Sequence, residues 1–171
     1  RIQRIFEGTN EINRILIPTM LFRKADSNGS ALWDLVKKAR EGITTETAYA
    51  GEFSLEAGTI ARLKQLLLTV LGEIAHAREH QEVLLAVADM IITIFALESV
   101  VLRADKTFPT SSEAKQELLK AVAKVVVFEL SSQFQAAATR CCAYALEGKA
   151  LTDMLKTVSD LSACAVEGLL E

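Results

Sequence analysis

Beyond residue 50 the chain repeats apolar side chains at steps of three and four, the spacing of helices with one buried face. Ile60, Leu63, Leu67, Val70 and Ile74 make the first stripe, on a helix expected over roughly Phe53–Ala77. Leu84, Val87, Ile91, Ile94 and Val101 make the second, over roughly Gln81–Lys106. Thr107-Phe108-Pro109-Thr110-Ser111 then combines a proline with hydroxyl residues, a stop and a new N-cap. The third pattern runs from about Ser112 to Leu146 through Leu119, Val122, Val126, Leu130, Phe134, Ala137 and Cys141, and Gly148 is its expected stop. Thr152 is expected to cap a fourth helix with Met154, Val158 and Leu161 inward. Long helices on short turns pack as an antiparallel bundle. The fold expected is all-α, an up-and-down helical bundle preceded by a loop-helix segment.

The first 50 residues read differently. A helix is expected from about Glu11 to Lys24, bent or restarted at Pro18, which lacks a backbone donor. Asp26-Ser27-Asn28-Gly29-Ser30 is turn chemistry, Ala31–Arg40 a short helix carrying Leu32, Trp33 and Val36, and Glu41–Gly51 a linker. The organisation expected is therefore 1–25 as the tail of a preceding domain, 26–52 as short helix and linker, and 53–171 as a four-helix bundle. There is no internal repeat.

Composition narrows the function. Of 171 residues, 50% are hydrophobic and 24% charged, enough for a packed core. The net charge of -3 gives no global basic field to recruit nucleic acid. Val83 to Leu102 approaches the length of a membrane span, but Asp89 and Glu98 interrupt it, so a buried bundle helix is expected. Cys141, Cys142 and Cys164 form no disulfide framework and no metal-ligand spacing, which points to buried thiols in a reducing compartment. The chain opens Arg1-Ile2-Gln3 without a methionine or signal sequence, and is read as a piece of a longer polypeptide.

The residues with most chemical content are the first fourteen. Glu7 follows Ile5 and Phe6, Gly8 permits close backbone approach, and Thr9 or Asn10 caps a helix beginning near Glu11. An ordinary capped helix start has this composition. So does a general base, because a carboxylate buried beside apolar groups holds its proton more tightly.

Arg4-Ile5-Phe6-Glu7-Gly8-Thr9-Asn10-Glu11-Ile12, followed by Arg14, resembles the acyl-CoA dehydrogenase segment that holds the catalytic glutamate. Leu84 to Ile92 and Val100 to Ala104 are similar to the C-terminal helical extension of the very-long-chain branch. The resemblance covers nearly the whole chain and is most marked over residues 4–14, then 80–106. It implies that Glu7 removes the α-proton of an acyl-CoA thioester while the β-hydrogen leaves as hydride to FAD, giving a trans-2-enoyl-CoA in fatty-acid β-oxidation. It further implies Phe6 and Gly8 at the substrate, Thr9, Asn10 and Glu11 at the FAD, and the Glu7 N–H as a donor to the developing enolate. Arg4 and Arg14 match arginines of the motif in a supporting role. The implied partners are an electron-transferring flavoprotein and a second copy in a homodimer, in a bacterial cytoplasm or mitochondrial matrix. The fragment alone is expected to be inactive and without FAD, since the domains that cradle the flavin ring lie upstream. The linker Arg40 to Thr47 is neither strongly amphipathic nor basic, and gives no support to peripheral membrane association. The competing class is a non-catalytic helical module for dimerisation or docking.

Other constellations have plainer readings. His76 and His80 have the i, i+4 spacing of zinc ligands, but no third ligand is evident and they fall at a helix end. Asp89 and Glu98 are expected to reach arginines on a neighbouring helix, Arg140 being a candidate, because buried charges need partners. Asn28-Gly29-Ser30 spells a glycosylation sequon, with nothing pointing to secretion. Ile92, Phe95 and Ala96, with Val125, Val127 and Phe128, extend beyond one stripe and predict an apolar association surface.

Overall fold

The computed structural model describes residues 9–27, 31–42 and 49–163. Among them are six α-helices and no strand: α1 (Asn10–Ser27), α2 (Ala31–Arg40), α3 (Ser54–Glu73), α4 (Gln81–Thr107), α5 (Glu113–Ala145) and α6 (Gly148–Ser162). Single 3-10 turns at Ala75–Ala77 and Phe108–Thr110 join α3 to α4 and α4 to α5. Helices α3 to α6 form the bundle. Each packs on the next, α6 returns to α3, and α4 with α5 make the most extensive pair. The short connections reverse the chain between neighbours, as an up-and-down arrangement requires.

The core is built from Leu63, Leu66, Val70 and Ile74 of the α3 arm, Val83, Val87, Met90 and Leu97 of α4, Phe134 and Ala138 of α5, and Val158 of α6, all essentially inaccessible. Phe53 and Phe108 close one end, beneath the ammonium of Lys120 at 5.3 Å from the Phe108 ring centre. Helix α4 is long and apolar enough to cross a membrane by length and composition, yet half of its most apolar window is buried among α1, α3 and α5.

Three details depart from the sequence reading. Helix α1 runs through Pro18 without a restart. Pro18 is buried, and packing of α1 on α4 outweighs the lost backbone bond. At the next residue, the Thr19 hydroxyl donates to the Ile15 carbonyl at 2.8 Å. Thr152 does not cap α6 but lies inside it, donating to the Gly148 carbonyl, because the chain re-enters a helix at once. Gly148 sits at φ +56, the left-handed conformation that ends α5 and starts α6. In α5 the buried line is Ala123, Val127, Ser131 and Phe134, so Val122 is 45% exposed instead of inward and Val127 is buried instead of outward. Ala123 and Ser131 are small, so a search for large apolar residues passes over them.

Helices α1 and α2 lie outside the bundle, on α4 and α3 respectively. Arg40 of α2 pairs with Glu73 of α3 at 3.0 Å. Phe22 of α1 stacks on Trp33 of α2, with ring centres 6.1 Å apart. Asp26 and Ser27, expected in a turn, complete the last turn of α1.

Candidate functional site

Glu7, Phe6 and Gly8 lie outside the described residues, as does Cys164. Thr9, Asn10 and Glu11 are described, at the N-terminus of α1. Thr9 is the cap: its carbonyl accepts from the Asn13 N–H at 3.0 Å, and its hydroxyl oxygen accepts from the Ile12 N–H at 3.4 Å. Asn10 and Glu11 are exposed in the first turn, where a carboxylate also suits the positive end of the helix dipole. This set of hydroxyl, amide and carboxylate groups fits hydrogen bonding to the hydroxyls and ring nitrogens of a dinucleotide.

One turn further along α1, Arg14 reaches Asp89 of α4 through its Nη2. The second Asp89 oxygen accepts from Arg140 Nη2 of α5 at 3.2 Å. One carboxylate thus ties three helices together. An open groove of about 410 Å³ runs beside the junction, lined by Glu82, Leu85 and Tyr144 as well as the charged trio. The pairing of Asp89 with Arg140 follows the sequence expectation. Arg14 was not paired with it there, and 75 residues of separation leave no local signal for the link. Glu98 finds a cation as expected, but that cation is Lys64 of α3, not an arginine.

The remaining candidates are structural. His76 and His80 are both exposed, and His76 Nε2 lies 2.9 Å from the Ala145 carbonyl. Among the described residues no group of His, Cys, Asp and Glu could hold a metal ion. Cys141 and Cys142 are fully buried free thiols. Burial, reinforced by the neighbouring Cys142, pushes Cys141 up to about 12. Burial, with the charge of Glu73, pushes Cys142 up to about 11. Both thiols pack as core side chains, and burial favours their protonated form.

Comparison with known proteins agrees with this architecture. The family model described as acyl-CoA dehydrogenase, C-terminal domain, matches residues 62–159, which span most of α3 and all of α4 and α5 into α6. A probable acyl-CoA dehydrogenase of Bacillus subtilis (strain 168) is 27% identical over 179 residues, covering 100% of this chain and 30% of its own length. The crystal structure of an acyl-CoA dehydrogenase complexed with FAD from Bacillus anthracis superposes with a TM-score of 0.84 at 29% identity, covering 95% of this chain and 29% of that one. The chain therefore spans less than a third of either relative. With its helices arranged as in that structure and more than half its length matched by the family model, this chain belongs to the acyl-CoA dehydrogenase C-terminal domain family.

Proposed function

We propose that the chain is the C-terminal part of a flavin-dependent acyl-CoA dehydrogenase of the very-long-chain type, acting in fatty-acid β-oxidation in a bacterial cytoplasm or mitochondrial matrix. The observation that carries this reading is the likeness to the FAD-complexed enzyme over 95% of the chain. Coverage of that extent goes beyond the α3–α6 bundle alone.

In this reading Glu7 accepts the α-proton of an acyl-CoA thioester. Such a proton is a very weak acid, so the developing enolate oxygen needs preorganised donors, and the Glu7 N–H is one. Phe6 shields the thioester from water, and Gly8 lets the substrate lie against the backbone. Thr9, Asn10 and Glu11 contact the cofactor. FAD, when bound, supplies the hydride acceptor and passes electrons to an electron-transferring flavoprotein. The product is a trans-2-enoyl-CoA.

The test uses the full-length protein with Glu7→Gln, which keeps shape and removes the base. Acyl-CoA binding and flavin content should persist while flavin reduction by acyl-CoA is lost. Reduction at the parental rate would sink the assignment.

Association through the bundle is part of the same proposal. Ile92, Phe95 and Leu102 of α4 and Leu118, Val122, Val125 and Phe128 of α5 are all exposed on the described chain. Such an apolar surface fits a second copy in a homodimer.

A further inference from the structure

Helix α1 is held unevenly. Its buried side chains, Pro18, Phe22 and Ala25, all lie from its midpoint onward, and Asp26 near its end pairs with Arg78 at 3.0 Å. The first turn has no buried side chain: Asn10, Glu11 and Ile12 are exposed. Between these parts Ile15 packs at the edge of the core and Arg14 makes an ion pair with Asp89. From Pro18 to Asn10 the helix is a lever of about 12 Å, so a tilt of about 10° about Pro18 would carry Asn10 roughly 2 Å. Displacements of that size are large for a catalytic constellation.

Asp89 is well placed to prevent such a tilt. Arg140 holds one of its oxygens, which orients the carboxylate. The guanidinium of Arg14 is received on the other oxygen, and among the described residues its Nε finds no acceptor of its own. All three side chains keep substantial solvent contact, 33% for Arg14, 29% for Asp89 and 53% for Arg140, so the junction contributes little to fold stability. What it supplies is direction.

We propose that Asp89 is a positioning residue of the dehydrogenase: through Arg14 it fixes the angle of α1, and so the placement of Thr9, Asn10 and Glu11 against FAD. The inference rests on the functional reading above and adds to it a role for the C-terminal bundle, which becomes the far anchor of the flavin-contacting turn.

The test uses the full-length enzyme and its FAD-stripped apoprotein. Asp89→Asn should raise the FAD dissociation constant about fivefold or more, the lower range of coupling between distant sites. Flavin reduction should slow with acyl-CoA KM unchanged, and the melting temperature should stay close to the parent's. Asp89→Glu should restore most of the loss. Arg14→Gln, which leaves the Arg140 pair in place, should reproduce the defect, and it carries the measurement if Asp89→Asn does not fold. The double variant should be no worse than either single one. Parental FAD affinity and reduction rate in Arg14→Gln, or additive losses in the double variant, would overturn the proposal. Glu7→Gln run in parallel separates the two ideas. Parental reduction there removes the functional reading, whereas loss of reduction in Glu7→Gln beside a parental Arg14→Gln removes only the positioning role.

Discussion

Phe53 meets Phe108 edge-on, with ring centres 5.6 Å apart and planes at 89°. Phe53 immediately precedes α3 and Phe108 occupies the turn between α4 and α5, so this contact closes one end of the bundle between segments far apart in sequence. Phe53 is 1% exposed, and its truncation leaves a large cavity. Phe53→Ala should destabilise the fold by about 3–5 kcal/mol. Urea unfolding measures this directly, and a loss under about 1 kcal/mol would show that the end of the bundle collapses to fill the space.

Two glycines should respond with opposite signs. A Cβ at Gly148 meets nothing within 4 Å, but the backbone there stands at φ +56. Gly148→Ala should therefore cost about 1–2 kcal/mol from the left-handed conformation alone. A Cβ at Gly58 also meets nothing, and Gly58 lies inside α3 at an ordinary helical position. Gly58→Ala should stabilise by about 0.5–1 kcal/mol. Thermal melts of the two variants should move in opposite directions.

The buried thiols predict an alkaline weakness. Folding raises Cys141 to about 12 and Cys142 to about 11, against an ordinary value of 9.0. The folded state therefore binds protons that the unfolded chain releases. Stability is fully present below pH 9 and falls as pH rises toward 11–12. The combined loss should be on the order of a few kcal/mol. Urea midpoints at rising pH, taken on a Cys164→Ser background, should show the fall, and Cys142→Ala should flatten it. A slope unaffected by that substitution would assign the loss to other groups.

The outward apolar line of α4 and α5 predicts association of the 171-residue chain. Phe95 is 72% exposed and Val125 49%. Sedimentation near pH 7 should find a dimer, and Phe95→Lys with Val125→Lys should leave a monomer of unchanged helicity. A parental chain that stays monomeric at high concentration removes the homodimer from the proposal.

Where helices were legible in sequence, one physical term dominated. Ala31–Arg40 is an amphipathic segment with its cations in the last turn, and α2 has those bounds. Thr107 to Ser111 carried a proline and a run of hydroxyls, and the chain does break there. Legibility failed where two terms competed. Pro18 suggested a bend or restart, and α1 does not restart there; in α5 the expected stripe holds at Phe134, Ala137 and Cys141 but not at Val122, where Ala123 is buried instead. At the candidate site the cap at Thr9 was readable because capping is local. The Arg14–Asp89 link was not, because a tertiary ion pair leaves no periodicity in either segment.

The seating of α1 on α4 bears on where the polypeptide can be divided. A gene product begun at residue 53 would keep α3 to α6 and discard the cover that Pro18, Phe22 and Ala25 provide. It would also strip Asp89 of one of its two cations. The bared strip would adjoin an already apolar α4, inviting aggregation on expression. The severable unit thus begins at α1, and a truncation that keeps the terminal bundle should keep this helix with it.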